Sequence, residues 1–230
     1  MYCVILSGMK ERVVVGMIET NCWIYPLEIE GRLGTCAVID PGDEAQKIIS
    51  RLGELNLTPA YILLSHGHYD HLAALPDLLE AFRTGIFSSH PLPKIGIHRQ
   101  DAHFLGLSSK KIHKDSFNVA GGDPAYIDML WKDLPDPDIL FEDGDMAGPL
   151  KVLHVPGHSP GSAVFYDEKK DIMFSGDTLF RKGWGRTDLP GGNEEQLYQS
   201  LKRLLSMKGD ITVCPGHGPL TFIKNETGLV

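Results

Sequence analysis

The chain has 230 residues, 42% hydrophobic and 23% charged, enough for a sizeable core within one domain and unlike a disordered or fibrous chain. Its formal net charge of -8 argues against a nucleic-acid partner, because phosphate binding is driven by clustered Lys and Arg. No apolar run approaches the roughly 18 residues of a membrane span, and the opening stretch MYCVILSGMKERVVVGMIETNCW lacks a secretory n-region, h-region and cleavage site. A cytoplasmic protein with no membrane partner is expected. Cys3, Cys22, Cys36 and Cys214 are scattered singly, without a CxxC pair, and are expected as buried reduced thiols.

In chain order, the opening stretch and residues 13–18, 22–25 and 36–39 read as strands. DPGDEAQ then turns into a helix, with Asp43 and Gln46 spaced as a capping box and Ala45, Ile48, Ile49, Leu52 and Leu55 on one apolar face. The Thr58-Pro59 pair is expected to end that unit. AYILLS is a continuous apolar run of strand length that delivers HGHYDH at its C-terminal end, and a second helix is expected through LAALPDLLEAF. Residues 98–138, with Gly121-Gly122, Asp123-Pro124 and LPDPD, form the least regular part and are expected to be a lid, a binding loop or a disordered insertion. SAVFYDEKKDIMFSGD reads as a hairpin turning at 167–170, followed by a helix through NEEQLYQSLKRLL and a strand ITVC that ends in PGHG. Strands that carry His or Asp at their C-terminal ends therefore precede helices in both halves. The expected class is α+β, a β-sandwich with helices on its outer faces and a site along one edge.

The stretch SHGHYDH puts three histidines and an aspartate into seven residues. A zinc site needs imidazoles or carboxylates converging at roughly 2.0–2.2 Å, so its ligands must sit on rigid turns that face one point. A loop at a strand end meets that need: His66 and His68 can face one ion while Asp70 and His71 face a neighbour. HVPGHSPGS adds His158, FSGDTLF adds Asp177 and CPGHGP adds His217. The set divides evenly, with His66, His68 and His158 for one metal, Asp70, His71 and His217 for the other, and Asp177 shared. Two ions roughly 3.5–4 Å apart can hold a water, lower its pKa and leave hydroxide as nucleophile, with Asp70 as ligand and proton acceptor. His154 is expected as a core or supporting histidine. Asp40, in VIDPG, either orients a ligand histidine or caps the turn before the helix.

The HxHxDH motif, the later His, Asp and His in that order, and the sandwich pattern resemble the metallo-β-lactamase fold superfamily over nearly the whole chain. The resemblance implies one domain over residues 1–230, a four-layer αβ/βα sandwich with the metal site at one edge. ETNCW, VIDPG, HVPGHSPGS, GDTLF and GRTDLPGG are similar to glyoxalase II-like thioesterases, the hydroxyacylglutathione hydrolases, and to their relatives the persulfide dioxygenases. What this implies is a metal-dependent hydrolase of a small-molecule thioester, an acyl-glutathione such as S-lactoylglutathione. The implied cofactors are two divalent ions, zinc first, with iron or manganese accepted by the same ligands.

Two departures place the chain in a short, single-domain branch. Only 13 residues follow His217, where full-length glyoxalase II carries a C-terminal helical glutathione-binding domain. Arg186 of GRTD stands where those enzymes place a cation followed closely by Tyr, and the Tyr has no counterpart. Arg186 is thus the candidate substrate contact, against the alternative that it pairs with Asp188. The other implied activities are a mononuclear iron persulfide dioxygenase, its iron on His66, His158 and Asp177, or a metal-dependent hydrolase of another ester or phosphoester.

Overall fold

The central strands are apolar on both faces, and the layering follows from that. A computed structural model describes residues 10–29, 32–85 and 87–230; Cys3 and the first nine residues of the opening stretch lie outside them. Strands β1 (Glu11–Val15), β2 (Thr20–Ile29), β3 (Arg32–Ile39), β4 (Thr58–Leu64), β5 (Lys94–His98) and β6 (Ile139–Phe141) form a six-stranded sheet in that order. Its first three strands are antiparallel and β3 to β6 are parallel. After β7 (Met146–Ala147), β8 (Leu150–His154), β9 (Ala163–Asp167) and β10 (Ile172–Gly176), a small hairpin of β11 (Leu179–Phe180) and β12 (Gly183–Trp184) intervenes. With β13 (Thr212–Pro215) and β14 (Thr221–Phe222) the second sheet runs β14-β13-β10-β9-β8-β7.

Successive side chains of a strand point to opposite faces, and each strand is shared between two cores accordingly. Trp23, Tyr25, Ile39, Leu63, Phe165 and Phe174 meet between the sheets. Their neighbours Cys22, Ile24, Val38, Ile62 and Leu64 face the other way, under Ile48 and Leu52 of α1 (Ala45–Leu55) and Leu75 and Leu78 of α2 (Leu75–Thr84). Val164, Met173 and Val213 face outward from the second sheet under Leu197, Leu201 and Leu204 of α5 (Glu194–Leu205), a helix numbered after α3 (Lys110–Val119) and α4 (Pro124–Leu130). The architecture is a four-layer αβ/βα sandwich. Full burial of each Leu, Ile or Phe stabilises it by roughly 1.5–3 kcal/mol over exposure. Polar ties cross between the sheets: Tyr25 Oη donates to Asp167 Oδ2 at 2.8 Å and Trp23 Nε1 to the Pro215 carbonyl at 3.1 Å.

Three local expectations are corrected. The Asp43–Gln46 capping box does not form, because both nearby carboxylates are engaged elsewhere. Asp43 Oδ1 accepts from Glu44 N at 2.6 Å, Glu44 Oε2 accepts from Gly16 N at 3.0 Å, and Glu44 sits left-handed at the helix start with φ 47°. The first helix ends at Asn56, left-handed with φ 54°, and Thr58-Pro59 instead begins β4 opposite Thr35 and Cys36. Residues 98–138 are largely helical: a 3-10 segment Arg99–Phe104 precedes α3 and α4. Asp123 caps α4 by accepting from Ala125 N at 2.9 Å, with Pro124 at its first turn. The Asp-Pro pair is a helix start, not a loop. The 163–176 hairpin forms, with Asp167 opposite Ile172. Cys22, Cys36 and Cys214 are buried and free. Among the described residues no helix is long and apolar enough to cross a membrane.

Candidate metal centre

The strand ends deliver their side chains to one edge of the sandwich. The turn after β4 carries His66 and His68, and a single 3-10 turn Tyr69–His71 presents Asp70 and His71. His158 follows β8, Asp177 follows β10 and His217 follows β13. Because β10 and β13 are parallel neighbours, Asp177 and His217 arrive side by side.

All seven side chains fall into three overlapping clusters: His66, His68 and His158; His66, His71 and Asp177; Asp70, His71 and His217. His158 Nε2 is 2.9 Å from His68 Nδ1 and 3.2 Å from His66 Nε2. His71 Nε2 is 3.2 Å from Asp70 Oδ2 and 3.4 Å from Asp177 Oδ1. His217 Nε2 is 3.3 Å from Asp70 Oδ2 and 3.6 Å from Asp177 Oδ2, and His158 Nε2 is 3.7 Å from that same oxygen. A tetrahedral ion with bonds of about 2.1 Å separates its ligands by about 3.4 Å. The spacing fits metal ligation. Buried His71 Nε2 and Asp177 Oδ1 have no hydrogen-bond partner, as donor atoms aimed at a cation would.

The electrostatics differ across the cluster. Burial, reinforced by the neighbouring imidazoles, pushes His66 well below the ordinary histidine range and His68 down to about 3, so both stand neutral and able to ligate. Burial would also lower His71, but Asp70, Asp177 and Asp40 outweigh it and hold it well above the usual value. His217 follows the same pattern, burial being overcome by its bond to Asp70 and by Asp177. Burial would raise Asp70 and Asp177, yet the facing histidines, His71 foremost, keep both carboxylates low.

Four of the five histidines have their second ring nitrogen beside a fixed oxygen, which sets ring orientation. Ser65 Oγ lies 3.0 Å from His66 Nδ1, the Arg186 carbonyl 2.8 Å from His158 Nδ1 and the Ile18 carbonyl 3.1 Å from His217 Nδ1. Asp40 Oδ2 is 3.1 Å from His71 Nδ1 and accepts from Ser65 Oγ at 2.7 Å, so Asp40 faces a histidine of the cluster as well as holding the strand end. His68 Nε2 has no partner and its ring meets the edge of Phe104, 5.8 Å between centroids.

Sequence reasoning missed Asp101. This fully buried carboxylate accepts from Gly67 N at 2.9 Å, Ser159 Oγ at 2.6 Å and Gly161 N at 2.6 Å, tying the turn of His66 and His68 to the loop of His158. No spacing pattern signals a residue that joins two distant segments. Two glycines are required by close approach: a Cβ at Gly67 would strike the Phe104 ring, and one at Gly216 would strike Asp177 Oδ1 and lie 2.7 Å from His71 Cε1.

The structure leaves other sequence-named residues apart from the cluster. His154 Nε2 donates to the Pro160 carbonyl, 2.9 Å away, and its ring stacks on His98 at 3.9 Å. The Arg186 guanidinium makes a two-pronged pair with Asp188, both bonds 2.7 Å, on the exposed surface.

A family model described as the metallo-beta-lactamase superfamily matches residues 19–217. The hydroxyacylglutathione hydrolase GloC of Haemophilus influenzae is 37% identical over 191 residues, 83% of each chain. The crystal structure of TTHA1623 in a di-iron-bound form superimposes with a TM-score of 0.73 at 33% identity, over 94% of this chain and 96% of that one. That of the BLEG-1 B3 metallo-beta-lactamase gives a TM-score of 0.75 at 31% identity, over 96% and 97%.

Proposed function

The chain belongs to the metallo-beta-lactamase superfamily as a metal-dependent hydrolase, and we propose that its substrate is a thioester, an acyl-glutathione first of all. The observation that carries the reading is the convergence of seven ligating side chains in three overlapping clusters, joined at His66 and His71. The likeness to a hydroxyacylglutathione hydrolase supports the thioester.

In this proposal His66, His68 and His158 hold one ion, Asp70, His71 and His217 the other, and Asp177 stands between them. Divalent ions there, zinc by preference, supply Lewis acidity that lowers the pKa of water toward neutrality and polarises a carbonyl. The protein's own groups do the rest. His66 and His68, held neutral by burial, ligate without first shedding a proton. The Asp70 carboxylate, ionised and 30% exposed, faces the opening and is placed to take a proton from the attacking water, steadied by Thr20 Oγ1, which donates to it at 3.3 Å. The leaving thiolate needs little protonation, its conjugate acid having a pKa of about 8.5. Arg186 meets a substrate carboxylate by exchanging Asp188 for it, a low-cost step because an exposed ion pair contributes only ~0–1 kcal/mol.

The test is hydrolysis of S-lactoylglutathione by the zinc-loaded protein. A kcat/KM of about 10⁴ M⁻¹s⁻¹ or above is expected. A rate hundreds of times lower, with rapid opening of a β-lactam or with persulfide-dependent oxygen consumption by the iron-loaded protein, would contradict the thioester assignment.

A further inference from the structure

Helix α4 turns the wrong face outward for a helix that serves only the core. Ile127 is its buried anchor at 1% exposure, and Asp128 reaches back to Lys110 and Lys114 of α3 at 3.0 and 2.6 Å. Tyr126, Met129 and Leu130, spaced i, i+3 and i+4, form an apolar stripe that remains in solvent, Met129 at 72% exposure. The stripe continues onto a second element, since Tyr126 Oη donates to Met17 Sδ at 3.3 Å across the turn between β1 and β2. In that turn Met17 is 85% exposed and Ile18 61%.

One end of this surface is fastened to the candidate centre and the other to Tyr69. The Ile18 carbonyl lies 3.1 Å from Nδ1 of His217, and the Leu130 carbonyl accepts from the Tyr69 hydroxyl at 3.3 Å, Tyr69 being the residue before Asp70. The apolar surface therefore runs from the side of His217, across Met17 and α4, to the hydroxyl of Tyr69. His217 belongs with Asp70 to the more open part of the cluster, 24% and 30% exposed. An apolar surface continuous with a reactive opening gains free energy by covering, roughly 25 cal/mol per Å², and unbranched Met side chains adapt to flexible partners.

We propose that Met17, Ile18, Tyr126, Met129 and Leu130 form a landing surface for an apolar acyl chain, so that the preferred substrates are thioesters of medium-chain acyl groups and not only of small polar ones. This rests on the thioesterase reading, and its occupant is the acyl half of that substrate. Each added methylene gains contact with the surface.

The probes are S-alkylglutathione thioethers, from ethyl to octyl, which cannot be hydrolysed, and the matching acyl thioesters. Titrating the metal-loaded protein with the thioethers is expected to show Kd falling about two- to fourfold per methylene. In M17S and M129S, whose side chains are exposed and outside the proposed metal ligands, the slope should flatten while the Kd for S-ethylglutathione stays within about twofold. A Kd independent of chain length, or a slope unchanged in the M17S/M129S double variant, overturns the landing surface. So does sedimentation showing that the wild type is a dimer that M129S dissociates, for the face would then cover a second copy. Chain-length-dependent thioether binding without hydrolysis of any acyl thioester would sink the thioesterase reading and leave the surface standing; hydrolysis without chain-length dependence would do the reverse.

Discussion

The two ends of the metal cluster are built differently. His66, His68 and His158 form a closed imidazole cage, 1%, 6% and 3% exposed, with Phe104 against His68. Asp70, His71 and His217 mix carboxylate with imidazole and open outward, Asp70 at 30% and His217 at 24%. The cage is held from behind by Asp101 and Ser65, whereas the open end is held from the side by Thr20 and the Ile18 carbonyl. The contrast teaches a division of labour. A buried imidazole cage suits firm retention of a cation, and a more accessible end with a carboxylate suits exchange of water and substrate.

Substitutions should separate the two ends, beginning with the cage. His66→Ala removes a residue that belongs to two of the clusters. Activity should fall by on the order of 10³-fold, the loss of several kcal/mol of Lewis-acid stabilisation, while circular dichroism stays native. Full activity would remove His66 from the site. Asp101→Asn keeps the shape but weakens acceptance from Gly67, Ser159 and Gly161. Metal affinity, measured by competition with a chelator, should fall about 10- to 100-fold; an unchanged affinity would show that the cage holds its spacing without this carboxylate. Beside the cage, Arg186→Ala loses a surface pair but keeps the carbonyl against His158. KM should rise about fivefold, the equivalent of ~1 kcal/mol, with metal content unchanged. Loss of metal would mean that the side chain fixes the loop. Thr20→Val removes one donor to Asp70, and a two- to fivefold fall in kcat is expected from a net hydrogen-bond contribution of about 0.5–1 kcal/mol.

Much of this was legible in the sequence, for a local reason. HGHYDH places four candidate ligands on one turn, and the single His158, Asp177 and His217 stand beside glycine at strand ends, where close approach is possible. The strand layers were legible because runs such as AYILL are apolar at every position, as strands covered on both faces are. What escaped depends on contacts between distant segments. Asp101 acts on Gly67 and Gly161 together, and the side chain of Glu44, at the helix start, accepts from the backbone of distant Gly16. The Gly and Asp-Pro signals in 98–138 mark helix ends as readily as loops, and only packing against Phe104 and Tyr69 shows that α3 and the residues after α4 form one cover, with His113 and Trp131 meeting Tyr69.

The most direct measurement of the central claim is the number of zinc ions bound per chain after reconstitution and removal of excess metal, in the wild type and in His217→Ala. Two ions in the wild type and one in the variant are expected, the cage keeping its ion when the open end loses a ligand. One ion in the wild type, retained in His217→Ala, would contradict a shared two-ion centre and leave the cage alone as the metal site.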